Sequence, residues 1–268
     1  VDPAEERMSR IISIANQKGG VGKTTTAINL GASLAIAERR TLVLDCDPQS
    51  NATSGFGIRK NAGRPSVYEC VVEGKPLAEA IHHEIHFPYL DVAPASRDLA
   101  GAELELMERP NRNRRLRRAL EPVRGSYDYV LVDSPPSLGV LTLNALTASD
   151  SVIIPIQCEF YALEGLSQLL NTVRLVQRNI NQELQIEGVL LTMYDSRLNL
   201  SKQVAAEARE YFGRKVFDTM IPRNIRLAEA PSFGKPIALY DVLSTGARGY
   251  LSLANELIER DEPTRKVG

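Results

Sequence analysis

Residues 11–25 read IISIANQKGGVGKTT, and no other stretch restricts the fold of this chain as tightly. An apolar run ends in a glycine-rich turn, and helix-forming sequence begins immediately beyond it. Gly19, Gly20 and Gly22 let main-chain N–H groups converge on an anion with no Cβ in the way. The N-terminus of the following helix brings unsatisfied N–H groups and a partial positive charge to the same point. Strand, turn and helix in this succession make a phosphate-binding loop. In such a loop Lys23 reaches the β- and γ-phosphates of a nucleotide and the Thr24 hydroxyl ligates Mg2+.

The rest of the chain supplies a frame for that loop. Ile11–Ala15, Thr41–Leu44, Leu90–Ala93, Tyr129–Val132, Ser151–Ile156 and Glu187–Met193 read as strands, and their continuous apolar character marks strands buried on both faces. Helical patterns fall near 24–38, 97–107, 112–121, 138–148, 161–179, 199–212 and 244–260. This alternation predicts an α/β fold, a single-domain P-loop NTPase whose mostly parallel twisted sheet is covered by helices on both faces. No linker separates a second domain, so one ATPase-sized unit is expected over 9–260. Residues 1–8 are expected to be an N-terminal extension or expression remnant, and 261–268 a polar tail. The turn-rich stretch 55–66 is expected to be an exposed loop. Hydrophobic residues at 43% and charged residues at 24% exclude a disordered, collagenous or coiled-coil chain. The three cysteines, Cys46, Cys70 and Cys158, fit neither a disulfide framework nor a CxxC metal site. The longest apolar runs fall far short of the roughly 20 residues of a membrane span, so a cytoplasmic protein without a membrane partner is expected.

The loop departs from the usual GxxxxGK[ST] spacing. Its first glycine would stand at position 17, which is Gln17, and a second lysine, Lys18, follows it. A cation so early in the turn does not duplicate Lys23 on the same phosphates. It is placed to point outward, toward a nucleotide held by a second copy of the chain. LDCDPQSNAT (44–53) puts Asp45 and Asp47, two residues apart, on one side of a strand end. VLVDSPPSLG (130–139) is an apolar strand ending in Asp133, the form of a Walker B box that holds Mg2+. Together with PIQCEFYALEG (155–165) and IPRNIRLAEAPSFGKPI (221–237), these motifs resemble the ParA/MinD group of ATPases with a deviant Walker A box. The resemblance runs over roughly residues 9–258 and is closest to the chromosomal Soj/ParA partition ATPases. Ser50 departs from the Gly or Ala common after DPQ in that family, and Ser134 from a common Cys.

The resemblance implies a set of roles. Two ATP-bound subunits sandwich their nucleotides, with Lys18 contacting the partner's ATP. The main chain of Gly19, Gly20, Val21, Gly22, Lys23, Thr24 and Thr25 holds the subunit's own nucleotide. Asp47 positions the attacking water, since phosphoryl transfer depends mainly on positioning and charge stabilisation. Asp45 either supports the Mg2+ shell with Thr24 and Asp133 or caps the strand end. Pro222 and Asn224 pack against the adenine. Hydrolysis is slow unless a ParB-type partner stimulates it, and ATP acts as a dimerisation switch.

A net charge of −1 provides no global field for nucleic acid, so any DNA contact must be local. Between Arg197 and Arg226 seven Lys/Arg stand against Glu207, Glu210 and Asp218, a net +4. The resemblance implies non-specific binding of double-stranded DNA through Arg197 and Arg226, with Lys202 beside them, and a nucleoid-associated location. No base-reading motif is present, so sequence-specific recognition is not expected. Residues 109–118, RPNRNRRLRR, carry six arginines and form either a solvated helix face or a phosphate-contacting patch.

Three other readings compete. A related ATPase positioning another cargo on the nucleoid shares every motif, because the partner sets the cargo. A membrane-surface ATPase of the MinD kind needs a basic amphipathic C-terminal helix, whereas ANELIERDEPTRKVG is acidic and broken by Pro263. A reductase of the nitrogenase iron-protein type needs a pair of cluster cysteines that is not evident here.

Overall fold

Each of the six apolar runs is dominated by Val, Ile and Leu, and all six pair into one parallel sheet. A computed structural model describes residues 9–59, 63–159 and 166–261 of the chain. Its strands are β1 (Arg10–Ile14), β2 (Thr41–Asp45), β3 (Leu90–Ala93), β4 (Tyr129–Asp133), β5 (Ser151–Gln157) and β6 (Gln185–Thr192), ordered β3-β2-β4-β1-β5-β6. The chain leaves β1 toward β2 and β3 on one side and later builds β5 and β6 on the other. β1 is therefore the strand at which the winding changes direction, and the crevice beyond its carboxyl end is where open α/β sheets bind ligands.

The helices are α1 (Lys23–Ile36), α2 (Asn51–Gly55), α3 (Leu77–Ala80), α4 (Leu99–Met107), α5 (Arg115–Leu120), α6 (Val140–Ala148), α7 (Leu166–Asn179), α8 (Asn199–Phe212), α9 (Ile225–Glu229), α10 (Ile237–Tyr240) and α11 (Thr245–Asp261). Alternate strand residues face opposite layers. Ile12 and Ile14 pack with Leu30 and Leu34 of α1 and with Tyr250 and Leu253 of α11, whereas Ile11 packs with Leu116, Leu120 and Leu141 of α5 and α6. α1 lies so close to the sheet that a Cβ at Gly31 would come within 2.5 Å of Val43 Cγ2. That proximity fixes the start of α1, and with it the loop, over the end of β1.

Strands fall within two residues of their expected bounds, and the long helices within about three where they are described. The helix expected over 112–121 divides into a 3-10 turn, Arg112–Arg114, and α5. The stretch 55–66 is not a wholly exposed loop: Gly55 closes α2 and Phe56 is buried in the core at 1% exposure. Burial of one aromatic within a glycine-rich run has no signal in local turn chemistry. Residues 60–62, residues 161–165 of the expected α7 helix, the last residues of the PIQCEFYALEG motif, the extension and nearly all the tail lie outside the described residues. Among the described residues no helix is long and apolar enough to cross a membrane.

Candidate active site

The loop after β1 is fastened to the sheet by two side chains, Asn16 and Thr192. Asn16 is buried; its Nδ2 donates to the Pro155 carbonyl at 2.8 Å and its Oδ1 accepts from the Lys18 main-chain N–H at 3.0 Å. On the other side Thr192, at the end of β6, donates its hydroxyl to the Val21 carbonyl at 2.9 Å. Gly22 adopts φ 90°, a left-handed conformation that costs glycine little, and so turns the chain into α1. Neither Asn16 nor Thr192 stands out in the sequence. Asn16 adjoins the motif but carries no spacing rule, and Thr192 is remote in the chain.

Lys23 is 6% exposed, and its ammonium donates to the Lys18 carbonyl at 3.1 Å. Burial lowers its pKa, while the negative charges of Asp133 and Asp47 pull it back up. The Lys18 ammonium has no hydrogen-bond or ion-pair partner among the described residues, although its main chain is bonded at both N–H and C=O. The two lysines are thus held differently, one turned into the loop and one unpaired.

Three carboxylates gather at the carboxyl ends of neighbouring strands because β2 and β4 pair in the register Asp45↔Asp133. Asp45 is fully buried and engaged. Its Oδ1 accepts from the Asp47 N–H at 3.1 Å, and its Oδ2 from the Thr53 N–H at 2.8 Å and hydroxyl at 2.7 Å. These bonds are those of a cap that ties the strand end to α2. Burial pushes the Asp45 carboxyl up, and the Thr53 bonds oppose the shift. Asp47, two residues on, accepts from the Gln49 N–H at 2.9 Å through Oδ1. Ser50, which follows, sits at φ 55° in the left-handed region. That conformation is one that glycine adopts at little cost.

Both Asp133 oxygens are buried with no hydrogen-bond partner among the described residues. Burial, then the charge of Asp45, push this carboxyl well above the usual range, and the nearby Thr24 hydroxyl and Lys23 ammonium offset the shift only in part. An orphaned carboxylate beside a loop hydroxyl suits a hard cation. Among the described residues no group of three or more His, Cys, Asp or Glu could hold a metal by itself. Such an ion would need water and phosphate oxygens to complete its shell, the usual arrangement for Mg2+.

A cavity of about 380 Å³ opens beside the loop, walled by Gly22, Thr25, Thr192, Pro222, Asn224 and Tyr250 among others. Its size is that of a small-molecule site. Pro222 and Asn224 reach it because the strand-like segment after α8 pairs with Tyr194. The Asn224 side chain is committed to structure: Oδ1 accepts from the Arg226 N–H at 2.8 Å, capping α9, and Nδ2 donates to Thr245 Oγ1 at 2.8 Å. Arg226 is flanked along the chain by the wall residues Ile225 and Leu227. The expected DNA contacts do not form one uniform cationic surface. Arg197 pairs with Asp195 through two bonds, at 2.9 and 2.6 Å, and holds that carboxyl down at about 2. Arg226 pairs with Glu229 at 2.9 Å and lies 3.6 Å from Asp241. Lys202 is exposed on α8.

A parallel sheet that delivers an anion-binding loop, a buried lysine and an unpartnered carboxylate to one edge is the frame of the P-loop nucleotide hydrolases. A family model described as "AAA domain" matches residues 9–186. The chain is 57% identical over 256 residues to the chromosome partitioning protein ParA of Myxococcus xanthus, covering 96% of this chain and 90% of that protein. It is 59% identical over 250 residues to the sporulation initiation inhibitor protein Soj of Bacillus subtilis, covering 93% and 98%. The chain belongs to the ParA/Soj family of chromosome-partitioning ATPases. Among solved structures it is similar to cobyrinic acid a,c-diamide synthase from Mycobacterium smegmatis with bound ADP and magnesium, with TM-score 0.83, 37% identity, and 97% and 98% of the two chains covered.

Proposed function

We propose that this ATPase uses ATP as a dimerisation switch for carrying DNA. In this reading ATP binding joins two subunits face to face, the dimer binds duplex DNA without sequence preference on the nucleoid, and slow hydrolysis stimulated by a ParB-type partner releases it. The observation that carries the reading is the unpaired Lys18 ammonium beside a loop whose own lysine, Lys23, is already turned inward. A loop cation with no partner among the described residues suits a phosphate presented by a second copy.

Within one subunit the roles divide by environment. The main chain from Gly19 to Thr25 and the Lys23 ammonium hold the phosphates. Thr24 and Asp133 hold Mg2+, which when bound neutralises charge developing on the phosphates. Asp45 keeps Asp47 in place through the bond to its N–H, and Asp47 orients the attacking water. The cavity beside Pro222 and Asn224 takes the base. All three histidines lie elsewhere, His82 and His83 beside β3 and His86 bonded to the Phe56 carbonyl. Among the described residues no second base is in place to speed the reaction, which favours a slow intrinsic rate.

The test is binding to random-sequence duplex DNA with ATP, with ADP and without nucleotide across a salt series, using Asp47→Ala beside the unaltered chain. Tight, steeply salt-dependent binding that requires ATP and persists longest in Asp47→Ala is expected. Equal binding in all three nucleotide states would remove the switch.

A further inference from the structure

The motif left unabsorbed by the ATPase site is the run of six arginines at 109–118. The structure gives its members distinct environments. Arg115 is structural: its Nε and Nη2 donate to the carbonyls of Val71 and Val72 at 2.8 and 2.7 Å, tying α5 to the π-helical turn at Glu69–Glu73. Arg112 donates to the Met107 carbonyl at 3.0 Å. Arg109, Arg114, Arg117 and Arg118 are exposed, and their guanidinium groups have no hydrogen-bond or ion-pair partner among the described residues. Among the described residues none of the six is paired with a carboxylate, although Glu103, Glu105 and Glu108 precede them and Glu121 follows. Elsewhere in the chain the exposed arginines expected to contact DNA, Arg197 and Arg226, are already neutralised by Asp195 and Glu229.

The unpaired charges are ordered. Arg117 and Arg118 lie on α5, and Arg114, at the end of the 3-10 turn that leads into it, precedes them by one turn of chain. That run adjoins an open cleft of about 550 Å³ walled by Arg109, Asn111, Arg112, Asn113, Arg114 and the end of α7 at Asn179. Neutral amides between guanidinium groups suit a run of phosphate oxygens. The cleft is open, and its lining is mostly guanidinium and amide, with Met107 and Ile180 its apolar members.

Its position follows from the topology. Helices return antiparallel to the parallel strands, so the C-terminal end of α7 lies at the edge where strands begin, opposite the edge that carries Lys18, Lys23 and Asp133. The arginine face is therefore complete in one subunit and independent of the nucleotide.

We infer that Arg109, Arg114, Arg117 and Arg118 form a second, nucleotide-independent contact surface for the phosphate backbone of duplex DNA. The inference rests on the proposed DNA-carrying function and adds to it a weak hold that survives hydrolysis. In an ATP dimer the surface is doubled, and two weak patches on one particle bind one polymer far more tightly than either alone.

The test is DNA binding by R114Q/R117Q/R118Q and by R114E/R117E/R118E, with ADP at low salt and with ATP across a salt series. Unchanged ATP turnover without DNA verifies that each variant is folded. With ADP, the unaltered chain is expected to bind weakly, and the glutamate variant at least tenfold more weakly still. With ATP, the glutamine variant's salt slope is expected to be shallower by about 0.9 for each phosphate that it no longer neutralises. ATP-dependent binding with the same slope in all three proteins would overturn this inference and leave the DNA switch standing. Failure of the unaltered chain to bind DNA in any nucleotide state would overturn both. Binding of a poly-glutamate peptide in place of DNA, abolished in the same variants, would reassign the face to an acidic protein partner and overturn the DNA assignment.

Discussion

The Lys23 ammonium donates to the main-chain carbonyl of Lys18 at 3.1 Å, so the backbone of one loop lysine seats the side chain of the other. The bond is to the backbone of Lys18, and the two side chains can therefore be separated by mutation. Lys23→Ala is expected to lower ATP affinity at least a hundredfold, because it removes the buried cation from the phosphate cradle. Fluorescent-nucleotide titration measures this, and a normal ATP affinity would displace Lys23 from the phosphate site.

Asp47→Ala is expected to retain ATP and Mg2+ affinity while hydrolysis falls by two orders of magnitude or more. The carboxylate is held by the Gln49 N–H, and its own N–H by Asp45, so its removal leaves the strand end capped. Single-turnover phosphate release is the appropriate assay. Turnover within twofold of the unaltered chain would take Asp47 out of the reaction.

Asp133 connects the site to stability. Its carboxyl is held well above the usual range by burial, so the folded chain binds its proton more tightly than the unfolded chain does. Nucleotide-free protein should therefore lose stability as pH rises above the ordinary carboxylate range toward the raised value. Asp133→Asn should flatten that loss. At neutral pH it should raise the Tm of the nucleotide-free form by a few degrees, the scale of about 1–2 kcal/mol in a domain of this size. The same variant should lose Mg2+-dependent hydrolysis. Thermal unfolding at several pH values checks the first claim, and a lower Tm in the variant would contradict it.

Glu229 opposes the proposed DNA contact of Arg226 through a 2.9 Å pair. Arg226 is exposed, so the pair itself contributes little to stability, but phosphate must displace the glutamate to bind. Glu229→Gln is expected to tighten ATP-dependent DNA binding several-fold, and Arg226→Glu to weaken it at least tenfold with dimerisation intact. Fluorescence anisotropy on a labelled duplex reads both. Tighter binding by Arg226→Glu would reverse the assignment.

Much of this site is legible along the chain because its parts are local. The β1–loop–α1 unit needs fifteen consecutive residues, and the three carboxylates follow strands whose apolar runs mark their ends. Long-range bonds are not legible in this way. The two bonds from Thr53 tie Asp45 to α2, and no spacing encodes them. Thr192 fastens the loop from 171 residues away. Charge misleads for a related reason. A net +4 window around Arg197 and Arg226 reads as free charge, yet Asp195, inside the same turn but outside the window, and Glu229, one helical turn on, neutralise its two principal members.

The most direct measurement is sedimentation of Lys18→Ala against the unaltered chain, both in an Asp47→Ala background that preserves ATP, with ATP or ADP present. Both proteins are expected to bind ATP with similar affinity. Only the chain that keeps Lys18 is expected to shift from monomer to dimer, and only with ATP. An ATP-dependent dimer of Lys18→Ala at the same protein concentration would contradict the role of Lys18 across the interface, and with it the proposed switch.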